Sequence, residues 1–210
     1  MVELYAIDIS HTVTVEQLKK YLSLVSAEKR QRLSEFHFEE DMKRSLYGEL
    51  LVRHLACQKL NIKNCQISFE TNIYGKPSIK SFPHFYFNIS HAGKQVVCAI
   101  DNAPVGVDIE EIKPIGLDIA KRFFTENEYT LITEEPEEQQ TLKFYQIWTA
   151  KESYIKFIGT GLSTPLNSFS VYKTQFNEYR ITENNKVRIK MIFDIEGYVL
   201  SVCYVEKHFP

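Results

Sequence analysis

Asn102-Ala103-Pro104 interrupts the chain almost at its midpoint, and the order of elements expected before it returns after it. Residues 2–9 are short and apolar and predict a first strand. Thr14-Val15-Glu16-Gln17 has the form of a capping box that opens a helix through Leu18, Leu22 and Val25. From Glu39 to about Leu60 the apolar positions Met42, Leu46, Leu50, Leu51 and Leu55 recur at helical spacing. Strand-like runs follow at 66–70, 85–89 and 95–101, with turn chemistry at Tyr74-Gly75-Lys76-Pro77. After the break come a strand at 105–109, short helical segments at 120–124 and 126–132, and a long helix at 137–158. Strands are expected at 168–172, 187–195 and 198–205. The last two alternate, with Val187, Ile189, Met191 and Phe193 on one face and Leu200, Val202 and Tyr204 on another. No residue-level identity links the halves. The expectation is an α+β protein of two similar lobes, 1–104 and 105–210, with a ligand cleft between them, where pockets tend to form.

Composition removes several classes of function. A net charge of -2 gives no global field for nucleic acid, so any anion site is local. No run approaches the ~20 apolar residues that span a bilayer, and the first residues lack the pattern of a signal peptide. Cys57, Cys65, Cys98 and Cys203 are scattered without metal-ligand spacing. A cytoplasmic protein without membrane or nucleic-acid partners is expected.

Three clusters carry chemistry. In Gly106-Val107-Asp108-Ile109-Glu110, strand alternation puts both acids on one face, about 7 Å apart. They are costly neighbours unless solvated at an edge or neutralised by a cation, and oxygen-only donors suit Mg²⁺ or Mn²⁺. In Trp148-Thr149-Ala150-Lys151-Glu152-Ser153-Tyr154-Ile155-Lys156, residues Trp148, Glu152 and Lys156 share one helical stripe beside the apolar Ile147, Ala150, Tyr154 and Ile158. A Glu-to-Lys pair on a solvated face would be unremarked, but tryptophan is uncommon on such a face. In Phe87-Asn88-Ile89-Ser90-His91-Ala92-Gly93, Ser90 and His91 point apart in extended chain, so they form no nucleophile pair. They either cap a turn or grip phosphate. No phosphate-loop motif is present; an anionic ligand would rely on dispersed residues such as Lys29, Arg32, Arg44, Lys76 and Lys151.

In order and spacing these clusters, with Tyr74-Gly75-Lys76-Pro77 and Phe123-Phe124-Thr125-Glu126-Asn127-Glu128-Tyr129, resemble the Sfp-type 4′-phosphopantetheinyl transferases over the whole chain. The resemblance implies two pseudo-symmetric lobes, each a small antiparallel sheet packed against a long helix, with the active site between them. It implies transfer of 4′-phosphopantetheine from coenzyme A to a serine of an apo peptidyl or acyl carrier protein, serving nonribosomal peptide and antibiotic synthesis. It assigns Asp108, Glu110 and Glu152 to Mg²⁺, with Mn²⁺ as an alternative. Glu152 would also be the general base, and Lys156 would assist the departing adenosine 3′,5′-bisphosphate. His91 would meet the 3′-phosphate, with Lys29, Arg32, Arg44, Lys76, Ser90, Lys151 and Lys156 about the nucleotide. The segment 112–124, through Ile112, Pro114, Ile115, Leu117, Lys121 and Phe124, would dock the carrier protein, and the chain would act as a monomer. Arg32 stands where the family pattern leads one to expect lysine, which preserves the charge. Two rivals remain on residues alone. One is a metal-dependent nuclease, disfavoured by the helical E-x-x-x-K spacing and weak net charge; the other is a module that binds carrier or coenzyme A without turnover.

Overall fold

A computed structural model describes residues 1–174 and 177–206. Strand β1 (Glu3–Asp8) is followed by helices α1 (Val15–Ser23), α2 (Ala27–Ser34) and α3 (Glu39–Leu60). The expected capping box starts α1: the Thr14 hydroxyl accepts from the Gln17 backbone N–H, and the Gln17 side chain accepts from that of Thr14. Helix α2 lies where the sequence presented only a basic patch. Ser26 caps it and Leu33 is its single buried residue, so no apolar stripe announces it. In α3, Leu46, Leu51 and Leu55 are buried as their spacing requires, and Asn61 closes the helix in the left-handed region at φ 52°.

A small hairpin follows, β2 (Phe69–Thr71) and β3 (Pro77–Ile79), then β4 (Tyr86–Ala92) and β5 (Gln95–Asp101). The first sheet is antiparallel in the order β1-β5-β4. The expected 66–70 strand is shorter than predicted, because residues 64–66 form a 3₁₀ turn.

The second half comprises β6 (Val105–Glu111), α4 (Asp118–Phe123), α5 (Glu126–Thr133), α6 (Glu137–Ile158) and strands β7 (Val171–Lys173), β8 (Glu178–Ile181), β9 (Asn184–Ile192) and β10 (Tyr198–Val205). Its antiparallel sheet runs β6-β10-β9-β8-β7. The order β6-β10-β9 repeats β1-β5-β4, with α6 standing where α3 stands, so the repeat read in the sequence is a repeat of topology. The halves differ in what becomes of their hairpins: β2 and β3 pair apart, whereas β7 and β8 extend the second sheet. Strand β8, only four residues long, was not expected. Strand β9 ends at Ile192, which leaves Phe193 half-exposed rather than on the buried face.

The two sheets are joined by apolar residues from both: Val97 and Ala99 of β5 pack with Val105, Val107, Ile109, Leu200 and Val202. Strands β4 and β6 belong to different sheets yet lie alongside. Asn88 Oδ1 accepts from the Val107 N–H at 2.8 Å, and Ser90 Oγ accepts from that of Ile109 at 3.3 Å. These side chains satisfy buried donors that a shared ladder would otherwise have served. Gly106 lets β6 lie directly on α6: a Cβ there would stand 2.0 Å from the Ser153 carbonyl oxygen. Among the described residues no helix is long and apolar enough to cross a membrane.

Candidate active site

The close approach at Gly106 brings the acids of β6 to the charged stripe of α6. Ser90, His91, Asp108, Glu110, Trp148, Glu152 and Lys156 line one small cleft of about 330 Å³. Strand alternation sets Asp108 and Glu110 on the same side, and the i, i+4, i+8 stripe supplies Trp148, Glu152 and Lys156. Asp108 is 3% exposed. Its Oδ1 accepts from Lys156 Nζ at 2.6 Å and from the Ser90 hydroxyl at 2.9 Å, while Oδ2 is buried without a hydrogen-bond partner.

The electrostatics are those of an uncompensated acid cluster. Burial pushes Asp108 up, against the pull of Lys156. Burial and the Asp108 charge push Glu110 up to about 7, against Lys156 and the Trp148 indole N–H. Burial and then Asp108 raise Glu152 as well. One lysine cannot neutralise three carboxylates. An orphaned oxygen, oxygen-only donors and raised acids together suit a hard divalent cation. Among the described residues no three such side chains already enclose a common point.

At Ile89 and His91 this cleft meets a larger one of about 660 Å³, walled by Lys29, Arg32, Arg44, Ser45, Glu49, Arg53, Phe69 and Phe87 among others. Lys29 Nζ donates to Ser45 Oγ at 2.9 Å and lies 3.6 Å from Glu49. Burial lowers its pKa despite Glu49. Arg44 donates to the Gly93 carbonyl and pairs with Asp41. His91 is held below its ordinary value, first by burial and then by the charges of Arg44 and Lys156. The Glu49–Arg53 pair, i and i+4 on α3, is part of this wall and was missed; its spacing was the only signal available.

Three expected site residues lie elsewhere. Lys151 is fully buried, because its helical position faces the core between α5 and α6. Its amine donates to the Leu166 carbonyl at 2.8 Å and the Phe169 carbonyl at 2.5 Å, and pairs with buried Glu128 at 2.9 Å. It cannot reach the nucleotide-sized cleft. Lys76 Nζ also turns away from that cleft, onto backbone carbonyls at the end of α6; its neighbours Gly75 and Pro77 line the wall instead. Phe124, expected on the docking surface, is 4% exposed and stacks on Phe144 at 5.3 Å. In the same segment Pro114 and Lys121 are exposed, while Ile112, Ile115 and Leu117 pack partly against the core. Ile119, within the same segment though not singled out from the sequence, shows 38% of its surface.

A mixed α+β fold that sets a cleft lined by Lys29, Arg32, Arg44 and Arg53 beside an acid cluster has the chemistry to suit an anionic ligand together with a cation. Comparison with known proteins sharpens that class. The model of the 4′-phosphopantetheinyl transferase superfamily matches residues 104–203, and that of the 4′-phosphopantetheinyl transferase N-terminal region matches residues 11–103. The chain is 39% identical to the 4′-phosphopantetheinyl transferase Sfp of Bacillus subtilis (strain 168), over 99% of this chain and 94% of that one. It is 41% identical to the 4′-phosphopantetheinyl transferase gsp of Aneurinibacillus migulanus, over 97% and 86% respectively. The likeness to psf-1 of Bacillus pumilus is 40%, over 90% and 81%. The chain belongs to the 4′-phosphopantetheinyl transferase superfamily.

Proposed function

We propose that this protein transfers 4′-phosphopantetheine from coenzyme A to a serine hydroxyl of an apo peptidyl or acyl carrier protein. The observation that carries the reading is that the two clefts share His91 and Ile89 in their walls, so that Lys29, Arg32 and Arg44 lie on one side of His91 and the acids around the unpartnered Asp108 oxygen on the other. The nucleotide would lie along Lys29, Arg32 and Arg44, with His91 and Ser90 at the passage. Asp108, Glu110 and Glu152 would hold Mg²⁺, or Mn²⁺ in its place; the bound cation supplies charge neutralisation at the pyrophosphate.

The serine oxygen forms a bond to the β-phosphorus as the bond from that phosphorus to the bridging oxygen breaks. The serine proton passes to the Glu152 carboxylate, whose raised proton affinity suits it as a base. Lys156 Nζ, drawn from its Asp108 partner, meets the charge on the leaving phosphate oxygen. Adenosine 3′,5′-bisphosphate departs. No enzyme nucleophile is required, since phosphoryl-type transfer depends on alignment and charge stabilisation. The exposed residues Pro114, Lys121 and Ile119 are the surface we assign to the carrier. Four free cysteines agree with a reducing cytoplasm, and we take the working unit to be one chain.

Glu152→Gln tests the base directly. Turnover should fall by at least about 10²-fold, while calorimetry shows coenzyme A still bound. A variant that keeps wild-type turnover would remove Glu152 from proton transfer.

A further inference from the structure

The loop between β2 and β3 reaches from the first half of the chain to the end of the helix that carries Glu152 and Lys156. It is a closed turn. Asn72 Oδ1 accepts from the backbone N–H groups of Tyr74 and Lys76 at 3.0 and 2.9 Å, and Gly75 N–H donates to the Asn72 carbonyl at 3.0 Å. Two side chains leave this turn for α6. Lys76 Nζ donates to the carbonyls of Lys156 at 2.5 Å, Phe157 at 3.1 Å and Val105 at 3.1 Å. Asn72 Nδ2 donates to the Gly159 carbonyl at 2.8 Å. The last carbonyls of a helix have no partners within it, and a cation there meets the negative end of the helix dipole. Gly159 ends α6 at φ 74°, and a Cβ there would stand 2.9 Å from Lys76 Cδ. The glycine thus serves both the left-handed turn and the passage of the lysine stem.

We infer that Lys76 is a positioning residue: its amine, with Asn72, clamps the last turn of α6 to β6 and so sets Lys156 and Glu152 against Asp108. The inference rests on the transferase reading and gives Lys76 a role distinct from a contact to coenzyme A. The Val105 carbonyl begins β6 and the Lys156 carbonyl belongs to the reacting lysine, so one ammonium ties together the two elements that form the acid cluster. Its surroundings agree: burial lowers the Lys76 pKa to about 8, as for an amine held among carbonyls and out of water.

Lys76→Met keeps the stem and removes the donors. Asn72→Asp keeps the acceptor that closes the turn and removes the donor to Gly159, so it tests the same clamp should the first variant fold poorly. Both should lower kcat by about 10- to 100-fold, the scale of a small misplacement of reacting groups. Both should leave KM for coenzyme A within about twofold, the change expected when transition-state alignment alone is lost. Hydrogen exchange of the last-turn amides of α6 should accelerate in both. A raised KM for coenzyme A with kcat held would make Lys76 a nucleotide contact and overturn the clamp. Unchanged last-turn exchange in both variants would overturn it equally. A wild-type chain that transfers nothing, with exchange still accelerated in the variants, would overturn the transferase reading and keep the clamp.

Discussion

Lys151 and Lys156 stand five residues apart on one helix and meet opposite fates. Lys156 reaches the acid cluster at the mouth of a cleft, and Lys151 is wholly enclosed beside Glu128. The sequence made the first legible, because Trp148, Glu152 and Lys156 form a stripe with an awkward tryptophan on it. It hid the second, because lysine in a helix is ordinarily solvated and its partner Glu128 is distant along the chain. Glu128 does more than pair: its carboxylate accepts from the backbone N–H groups of Thr125 and Val171, which ties the start of α5 to β7. Removing one member of a buried ion pair costs about 3–5 kcal/mol. Lys151→Met should therefore lower the melting temperature strongly while the folded fraction binds coenzyme A with wild-type affinity. Loss of coenzyme A affinity at an unchanged melting temperature would return Lys151 to the nucleotide site.

At the scale of elements, the long helices were plain from periodicity, and the structure places both at residues 39–60 and 137–158 as expected. Helix α2 and strand β8 were not, since one buries a single residue and the other is four residues long. The small glycine in Gly106-Val107-Asp108 was visible, but not its reason, which is contact between β6 and the backbone of α6. A methyl group at Gly106 meets the Ser153 carbonyl and the Phe157 N–H, and backbone does not yield as a side-chain tip would. Gly106→Ala should destabilise the fold by about 1–3 kcal/mol or more. It should also weaken turnover by lifting the acids away from Glu152. Chemical denaturation measures the first effect; a variant as stable as wild type would mean that β6 and α6 can part without cost.

Across the whole molecule, the two halves meet over an apolar seam, and the acids of the small cleft gather beside it. The α+β class and the topological repeat were legible because each half carries its own strand-and-helix pattern. The convergence of β4, β6 and α6 was not, since it depends on long-range packing. Proton linkage follows from that convergence. Glu110, near 7, and the raised Glu152 bind protons more tightly folded than unfolded. Without a divalent cation, stability from these groups therefore falls as pH rises from about 4.5 through 7. A cation takes the same oxygens and reverses the trend. Melting curves in chelator should decline across that window, and added Mg²⁺ should raise the melting temperature more at pH 7.5 than at pH 5.5. An equal rise at both would separate the acids from the cation.

Group transfer to a carrier serine leaves a covalent mark on the acceptor. The intact mass of an apo peptidyl carrier protein incubated with this chain, coenzyme A and Mg²⁺ reads that mark. The carrier should gain one phosphopantetheine, and chelator or Glu152→Gln should abolish the gain. No gain on peptidyl or acyl carriers, with coenzyme A bound throughout, would contradict it and leave a protein that binds without turnover.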